Sequence, residues 1–413
     1  MINLITDILI VGGGPAGMAA AVAASATDGV NVTVVDDNPR LGGQIWRAEL
    51  GKTKSAAARE LFEALDRERI KIVNSSSVFA ADVGALLAET PSGATRIEYN
   101  KLILATGARE RFLPFAGWTL PNVFGAAGLQ ALVKGGLSVQ KKRVVVAGTG
   151  PLLLVVAEYL ASRGAEIMAI CEQASNKKLD RFALGLWRTP SKIAQGIGLR
   201  SRIRGVPYYR NSWVSAAHGL SKLETITIKR LIGERKIACD MLACGFHLVP
   251  NIELAVLLEC HTVEGYVSVD QYQQTSIAGV YCAGEPTGIG GVDAALVEGK
   301  IAGFAATGQT EQAKALFRAR KKTRQFAKSL DHAFELREEL KELAVNSTVV
   351  CRCEDVQYGK LTEYRDFRTA KLQTRCGMGA CQGRICGTAV EFLFGWKDRS
   401  VRPPIFPAKM ENL

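Results

Sequence analysis

A glycine-rich turn near the N-terminus constrains the fold of this chain more than any other feature. An apolar run over residues 6–11 predicts a buried strand, Gly12-x-Gly14-x-x-Gly17 follows it, and an alanine-rich helix comes next. Gly12 permits the tight turn, Gly14 lets a pyrophosphate approach the backbone, and Gly17 lets the helix pack closely on the strand. This arrangement predicts a dinucleotide site in a Rossmann-like α/β fold.

An acidic residue completes this first unit. The next predicted strand, residues 31–35, ends at Asp36, 19 positions after Gly17. An acid at this place accepts hydrogen bonds from a ribose diol. A glycine motif with its strand, helix and acid in position is a much stronger signal than the glycines alone.

A second copy of the same device begins about 135 residues later and is altered. A predicted strand at 143–147 leads into Gly148-x-Gly150, a helix over 152–163, and a strand that ends before Glu172. The third small position is occupied by Leu153, which we expect to push the helix away from the strand and narrow the nucleotide slot. We therefore interpret this copy as a scaffold for which NAD(P) binding is not expected.

Length and composition indicate a folded protein of two or three domains. The chain has 413 residues, of which 47% are hydrophobic and 22% are charged. It contains no apolar run of about 18 residues and no secretory signal, which predicts a cytoplasmic protein without a transmembrane segment. The net charge is +12, and the basic run over residues 318–324 is interpreted as a solvated helix face. No nucleic-acid-binding motif accompanies this charge.

The cysteines divide into a scattered set and a crowded set. Five occur singly before residue 350, and five lie within 36 positions near the C-terminus: Cys351, Cys353, Cys376, Cys381 and Cys386. Thiolates suit iron–sulfur clusters, and four ligands complete one. Cys351, Cys353 and Cys381 are the first three candidate ligands, and the fourth is Cys386 or Cys376. Zinc is the alternative metal. Because the chain has no Cys-x-x-Cys, a dithiol reductase is excluded.

Several segments resemble FAD-binding rather than NAD-binding proteins. These are the Arg40-to-Gln44 loop, the Ala105-Thr-Gly107 strand end, the strand that leads to Glu285, and a helix starting at residues 290–292. In such proteins the last acid binds the ribityl chain, and the helix N-terminus stabilises anionic reduced flavin. The candidate FAD-binding residues are Gly12, Gly14, Pro15, Ala16, Gly17, Asp36, Asp37, Arg40, Gly42, Gly43, Gln44, Ala105, Thr106, Gly107, Gly284, Glu285, Gly291 and Val292.

The cysteine-rich segment resembles the bacterioferritin-associated-ferredoxin-like [2Fe–2S] domain. Similar proteins, such as the large subunit of anaerobic glycerol-3-phosphate dehydrogenase, have alanine at the position of Cys376. The resemblance therefore favours Cys386 as the fourth ligand beside Cys351, Cys353 and Cys381.

The whole layout resembles the alpha (A) subunit of heteromeric dye-linked amino-acid dehydrogenases, a family with opine oxidases, D-hydroxyproline and L-proline dehydrogenases, and hydrogen cyanide synthase. The resemblance rests on residues 39–44, on Gly148-x-Gly-Pro-Leu-Leu-Leu154, and on the segments 350–355 and 374–386. It implies an oxidoreductase acting on CH–NH donors that carries FAD and a [2Fe–2S] cluster. It also implies a D-amino-acid-oxidase-like flavoprotein beta subunit that holds the substrate, with a small third subunit in some members, and a quinone or similar electron acceptor. Peripheral contact with the inner face of the cell membrane would fit a quinone acceptor.

The predicted domain order follows from these segments. An FAD-binding domain spans residues 1–120 and 255–310, and the second dinucleotide domain spans 121–254. A helical connector covers 311–346, and a small α-rich [2Fe–2S] domain with an extended tail covers 347–413. Two other functions compete with this prediction: a stand-alone NAD(P)H-dependent flavin and iron–sulfur reductase, and a non-catalytic assembly or iron-sensing module.

Overall fold

Two compact units make up the chain in the computed structural model, which describes residues 1–47, 55–67, 70–230, 232–397 and 401–412. The first unit contains the described residues of 1–109, 250–328 and 400–413, and the second those of 110–249 and 329–399. The chain passes between the units within β7 (Ala108–Glu110), within β16 (Leu248–Pro250) and within helix α11 (Phe317–Phe334). Among the described residues, no helix has the length and apolar character needed to cross a bilayer.

The first unit is built on a mixed sheet of seven strands in the described part of the chain, ordered β3-β2-β1-β6-β5-β4 with β19 also paired to β6. The neighbours of β1 run parallel to it, whereas β4, β5 and β6 form an antiparallel meander. Its strands are β1 (Ile2–Val11), β2 (Val32–Val35), β3 (Ile70–Val73), β4 (Ser77–Asp82), β5 (Ala85–Thr90), β6 (Gly93–Leu104), β17 (Thr262–Val263), β18 (Tyr266–Val267) and β19 (Val280–Cys282). Its helices are α1 (Pro15–Ser25), α2 (Gly43–Trp46), α3 (Ala56–Arg67), α8 (Glu253–Leu257), α9 (Gly291–Ala306) and α10 (Thr310–Ala315).

Close packing of α1 against α9 covers one face of this sheet. A Cβ added at Gly299 would lie 2.2 Å from the carbonyl oxygen of Ala16, and one at Gly303 would lie 2.3 Å from that of Ala20. Side chains at these two positions would therefore force the helices apart. The alanines of α1 complete the contact, which explains why a helix with no polar face forms here: it is buried by a neighbour on one side and by the sheet on the other.

The second unit contains a parallel sheet of five described strands, ordered β11-β10-β9-β15-β8, and a three-stranded antiparallel sheet, β12-β13-β14. Its strands are β8 (Val123–Phe124), β9 (Arg143–Thr149), β10 (Glu166–Glu172), β11 (Tyr208–Arg210), β12 (Ser212–His218), β13 (Thr225–Arg230), β14 (Glu234–Ala238) and β15 (Met241–Phe246). Its helices before residue 249 are α4 (Ala126–Lys134), α5 (Leu152–Ser162), α6 (Asn176–Gly185) and α7 (Pro190–Arg202).

A small cysteine-rich module ends the second unit. It consists of β20 (Val349–Cys351), β21 (Val356–Gln357), α12 (Tyr358–Leu361), α13 (Phe367–Thr374) and α14 (Cys386–Phe394). Trp118 of the same unit donates from Nε1 to the carbonyl of Val349 at 2.6 Å, and Arg352 lies over the Trp118 ring at 6.0 Å. The module therefore packs on the second dinucleotide-like domain as part of one compact body.

The units divide the chain differently from the predicted domains. The first boundary lies at residues 109–110 instead of 120–121, and the second at 249–250 instead of 254–255. The tail, which we grouped with the cysteine-rich domain, belongs instead to the first unit. The physical reason is that Ile405 is buried there and donates from its N–H to the carbonyl of Phe79, while Lys409 donates from its N–H to Glu89.

The predicted basic helix face at residues 318–324 also needs correction. Arg324 donates from Nε to the buried carboxylate of Glu298 at 2.8 Å, and Arg320 donates to the carbonyl of Asp270 at 2.9 Å. Part of this basic run therefore faces the protein, because Glu298 needs a positive partner inside the first unit.

Candidate cofactor sites

The first glycine turn, residues 12–17, is a tight loop between β1 and α1. Gly12 has φ +107°, and a Cβ added there would lie 2.2 Å from the carbonyl oxygen of Ala105. A Cβ at Gly17 would lie 1.8 Å from the carbonyl oxygen of Gly12. These two glycines are therefore required by the fold itself, since no side chain fits between β1, α1 and the end of β6.

Gly14 differs from its neighbours because it borders open space. A Cβ added there would meet only the Cα of Gly43, at 3.9 Å. Gly14 precedes α1 and Pro15 is the first residue of that helix, and no side chain caps the helix N-terminus. Uncapped backbone N–H groups and the helix dipole make this end a place where a phosphate binds favourably.

The other predicted flavin segments lie around the same loop. The N–H of Gly42 donates to the carbonyl of Gly13 at 2.8 Å, which fixes the 40–44 loop beside the glycine turn. A Cβ added at Gly284 would approach the Cβ of Ala16 to 3.0 Å, which brings the third predicted segment to the same place. The structure thus gathers segments that are up to 270 residues apart in sequence around the N-terminus of α1.

Asp36 lies at the end of β2 and is buried. Its Oδ2 accepts from the N–H of Gly13, at 2.5 Å, and its Oδ1 accepts from the N–H and the Nδ2 of Asn38, at 2.8 and 2.9 Å. Asp36 therefore also orders the glycine loop. The neighbouring candidates Asp37, Arg40 and Gln44 have exposed side chains.

Two predicted residues at α9 contact each other. The Oε1 of Glu285 accepts from the N–H of Gly291 at 3.0 Å, so this acid lies at the N-terminus of α9. Val292 follows in the first turn of the helix and is partly buried. A carboxylate at this position is stabilised by the positive end of the helix dipole.

Sequence reasoning missed the residues that hold these loops in place. Asn251 brackets the Ala105-to-Gly107 motif: its Nδ2 donates to the carbonyl of Thr106 at 3.0 Å, and its N–H donates to the carbonyl of Gly107 at 3.0 Å. Glu298 accepts from the N–H of Gly284 at 3.0 Å as well as from Arg324. Nothing in the local sequence signals either contact, because both join distant segments.

The second glycine turn is held by the protein's own groups, although the space beside Gly150 is open, with nothing within 4 Å of an added Cβ. Glu172 is fully buried; its Oε2 accepts from the N–H of Gly150 at 2.7 Å, and its Oε1 accepts from Thr149 Oγ1 at 3.0 Å and from the N–H of Ala174 at 2.8 Å. Burial raises the pKa of this carboxyl to about 7. Leu153 is buried within the hydrophobic core of this domain. Both carboxylate oxygens accept internal hydrogen bonds, as those of Asp36 do at the first turn, so Glu172 orders this turn in the same way.

The end of α11 lies directly against this second turn. Thr149 Oγ1 lies 3.2 Å from the carbonyl oxygen of Phe334, and the Nε2 of Gln173 donates to the carbonyl of Glu335 at 3.2 Å. The Phe334 ring is buried and meets Phe182 edge-on, with ring centroids 5.3 Å apart. The end of α11 therefore packs beside this turn and fixes the side chains of Thr149 and Gln173.

Five thiols gather in the cysteine-rich module. The Sγ atoms of Cys351, Cys376 and Cys386 all lie within 4.8 Å of one another, and all three residues are buried. Cys381 contacts both Cys386 and Cys353, so the remaining two thiols extend the set toward solvent. Cys353 is exposed and Cys381 is partly buried. The structure therefore brings every candidate ligand together, including both alternatives for the fourth position.

The surroundings of the buried Cys351 thiol favour negative charge on its sulfur. Hydrogen bonds from the Cys376 and Cys386 thiols, and from the N–H groups of Gly377 and Glu354, lower the pKa of Cys351 to about 2. The thiol of Cys386 donates, which raises its own pKa. Thiolates with backbone N–H donors are the usual ligands of iron–sulfur clusters. The donor set therefore fits a thiolate-bound metal centre.

The glycine at position 379 leaves room for the exposed thiol of Cys353. A Cβ added at Gly379 would lie 2.2 Å from the Cβ of Cys353 and 3.3 Å from its sulfur. The loop 377–383 therefore wraps closely around this thiol, and a larger residue at 379 would displace it.

The comparisons with known proteins agree with this architecture. Residues 6–299 match the family Pyridine nucleotide-disulphide oxidoreductase. The A subunit of opine oxidase from Agrobacterium tumefaciens is 30% identical over 98% of this chain and 91% of that protein. The HcnB subunit of hydrogen cyanide synthase from Pseudomonas protegens is 31% identical over 92% of this chain and 89% of that protein.

A solved structure shows the same fold over the full length. L-proline dehydrogenase from P. horikoshii superposes with a TM-score of 0.74 at 21% identity, covering all of this chain and 80% of that one. The resemblance to the A-subunit family and the α/β Rossmann-like fold are thus confirmed. The chain belongs to the pyridine nucleotide-disulphide oxidoreductase family, a family of oxidoreductases for which FAD is implied, and within it to the group that contains HcnB and the A subunit of opine oxidase.

Proposed function

We propose that this chain is the FAD- and [2Fe–2S]-carrying electron-transfer subunit of a heteromeric dehydrogenase that oxidises an amino acid, imino acid or opine at a C–N bond. The observation that carries the proposal is the presence, in one chain, of an open glycine cradle at Gly14 and a set of five clustered thiols. When bound, a flavin supplies two-electron chemistry and an iron–sulfur cluster supplies one-electron transfer.

The residues of the first unit have defined tasks in this proposal. The uncapped N-terminus of α1 binds the pyrophosphate, and Asp36 holds the glycine loop and accepts from the ribose. The segments at Gly43, Thr106 and Glu285 line the remainder of the nucleotide. Asn251 and Glu298 position these segments through the hydrogen bonds described above.

The cysteine-rich module provides four cluster ligands, with Cys351, Cys353, Cys381 and Cys386 as the proposed set and Cys376 as the alternative fourth. Backbone N–H groups at Gly377 and Glu354 stabilise charge on the buried sulfur of Cys351. The exposure of Cys353 leaves one edge of the thiol set open to solvent, which suits electron exchange with an acceptor.

The partner protein is proposed from the names of the relatives, which are subunits of larger enzymes. A D-amino-acid-oxidase-like beta subunit would hold the substrate, and a small third subunit is a further candidate. A quinone or similar acceptor would take the electrons. We propose a cytoplasmic location at the inner face of the membrane.

A stand-alone NAD(P)H-dependent reductase is the competing function. The leucine at position 153 argues against it, because the third position of a nucleotide-binding glycine turn is normally a small residue and Leu153 is buried in the core there. The two functions are separated by adding NADH or NADPH to the purified flavoprotein without oxygen. Rapid loss of flavin absorbance would favour the reductase.

The main test is purification of the full chain under anaerobic conditions. We expect flavin absorbance, two irons for each chain and the electron paramagnetic resonance of a reduced [2Fe–2S] centre. We also expect amine-dependent dye reduction only after a beta-type flavoprotein partner is added. A colourless protein, zinc in place of iron, or amine oxidation by the chain alone would each contradict the proposal.

A further inference from the structure

The two outer thiols of the cysteine-rich module lie beside exposed apolar side chains. Cys353 is exposed, and a Cβ added at Gly379 would lie 3.3 Å from its sulfur, so the loop that contains Met378 borders this thiol. The N–H of Ile385 donates to the sulfur of Cys381, which places Ile385 next to the second outer thiol. Met378 and Ile385 are 40% and 41% exposed. Two large apolar side chains that remain accessible to a partner therefore border the open edge of the thiol set.

Basic side chains surround the same edge. Each short segment that carries the thiols contains an arginine that is at least partly exposed: Arg352, Arg375 and Arg384. The Arg375 side chain is 68% exposed and donates from Nε to Glu354 at 2.7 Å, so it lies beside the segment that holds Cys353. Residues 367–386, which hold three of the five clustered thiols, contain four Lys or Arg and no Asp or Glu. The thiol edge is therefore an apolar spot with a basic rim.

We propose that this edge docks a redox protein with an acidic face, with which the cluster exchanges single electrons; the docking surface rests on the proposed function, because it needs the cluster. Methionine and arginine are enriched at protein interfaces and lysine is depleted, and the three rim residues that flank the thiols are all arginine. Encounters between electron carriers bury little surface, so a small apolar spot is enough. Opposite charges on the partners speed the encounter at low salt, whereas a neutral quinone gains nothing from a basic rim.

The exchange is a one-electron step. One electron leaves a reduced iron–sulfur centre of the partner and enters the cluster held by Cys351, Cys353, Cys381 and Cys386, or passes in the opposite direction. No bond forms or breaks and no proton is transferred, so the chain needs no acid or base for this step. What the chain supplies is close approach, which the exposure of Cys353 allows, and orientation by the arginine rim.

The test uses the full chain and a plant-type [2Fe–2S] ferredoxin, an acidic protein, as the partner. Equilibrium binding to the oxidised ferredoxin is measured by calorimetry, and electron transfer from the reduced ferredoxin is followed by stopped-flow absorbance. We expect the affinity and the second-order rate constant to fall about tenfold or more as salt rises from about 0.05 to 0.5 M. With oxidised cytochrome c, a basic protein, accepting electrons from the reduced chain, the rate constant should rise over the same salt range.

Two variants separate the rim from the apolar spot. Arg352→Gln/Arg384→Gln removes two rim charges and should lower ferredoxin affinity and the rate constant about 5- to 10-fold at low salt, with little difference from the wild type at high salt. Met378→Gln keeps the charge and the approximate size of the side chain, and should lower both quantities several-fold at every salt concentration. Iron content is measured on each variant.

The matched controls make the same chemical changes outside the cysteine-rich module. Lys321→Gln/Lys322→Gln removes two charges at exposed positions of α11 in the first unit. Leu220→Gln replaces an apolar side chain that is 96% exposed. Each control should change the ferredoxin affinity and the rate constant by less than about twofold.

The docking surface is overturned if the wild-type chain does not bind the ferredoxin at about 0.05 M salt, or if the rate constant does not depend on salt. It is also overturned if the controls weaken binding as much as the rim variant does. Binding to the oxidised ferredoxin needs no electron transfer, so it remains informative for a variant that loses iron. A wild-type chain without iron contradicts the proposed function, whereas full iron without ferredoxin binding contradicts the docking surface alone.

Discussion

Gly14→Ala should separate cofactor binding from folding. The backbone at Gly14 has φ −74° and ψ −174°, a conformation that alanine adopts without strain. The new methyl group would meet only the Cα of Gly43, at 3.9 Å, an ordinary van der Waals contact. Reduced freedom of the unfolded chain stabilises the variant by about 0.4–1 kcal/mol, and the poorer helix cap offsets a few tenths. The free energy of unfolding should therefore change by less than about 1 kcal/mol.

Flavin binding should respond very differently. The methyl group occupies the space through which a pyrophosphate reaches the N–H groups of α1. Loss of one hydrogen bond to a charged oxygen costs about 1.5–3 kcal/mol, so the dissociation constant for FAD should rise about 10- to 100-fold. The assay is titration of the flavin-free chain with FAD, followed by fluorescence, with urea unfolding measured on the same preparations.

Two further glycine variants make the comparison sharp. Gly17→Ala would place its Cβ 1.8 Å from the carbonyl oxygen of Gly12, so it should destabilise the fold itself by about 1–3 kcal/mol or more. Gly128→Ala, inside α4 and with nothing within 4 Å of the added Cβ, should raise stability by about 0.5–1 kcal/mol and leave the flavin affinity unchanged. If Gly14→Ala bound FAD as tightly as the wild type, the assignment of this loop to the pyrophosphate would be refuted.

Three other predictions test the remaining sites. Cys353→Ser should lower iron content below half of the wild-type value, whereas Cys376→Ala should retain the cluster and its resonance spectrum. Because the folded-state pKa of Glu172 is raised to about 7, the native state binds the proton more tightly than the unfolded chain does. The free energy of unfolding of the wild-type protein should therefore fall by up to about 3 kcal/mol as pH rises from about 5 to 7. In Glu172→Gln this dependence on pH should be weaker. Arg324→Met should cost about 3 kcal/mol in urea unfolding, because it leaves the buried Glu298 carboxylate without its cation.

Each of these has a result that contradicts it. Full iron in Cys353→Ser would remove Cys353 from the ligand set, and loss of iron in Cys376→Ala would add Cys376 to it. If the stability of Glu172→Gln depended on pH as strongly as that of the wild type, the Glu172 carboxyl could not be the source of that dependence. An Arg324 variant as stable as the wild type would show that the hydrogen bonds from Gly284 and Thr287 satisfy Glu298 without the cation.

Local patterns in the sequence predict the parallel strands and the glycine turns well. The strand at 143–147 and the helix at 152–163 correspond to β9 and α5 within two residues at each end, because both are short apolar elements bounded by clear turn residues. The length of β6, which continues from Gly93 to Leu104, was missed in its first half. That half alternates exposed and buried residues in an antiparallel meander, where polar residues weaken the apolar signal.

Long-range contacts account for what the sequence could not supply. The five thiols are brought together by the fold of the cysteine-rich module. Sequence spacing alone could not decide whether Cys376 or Cys386 is the fourth ligand. The contact between Thr149 in the second glycine turn and the carbonyl oxygen of Phe334 joins residues more than 180 positions apart. Leu153 indicated that this turn is altered, but no sequence motif around Phe334 indicates that it lies against the turn.

The return of the tail to the first unit has a consequence for how the protein matures. The hydrophobic core of that unit includes Ile405, which follows the cysteine-rich module in the sequence. Because synthesis runs from the N-terminus, the unit that is begun first receives this segment only after the module has been made. The cysteine-rich module is fully translated while its neighbour along the chain still lacks its closing segment. The first unit therefore cannot complete its hydrophobic core until the whole of the second unit has been synthesised.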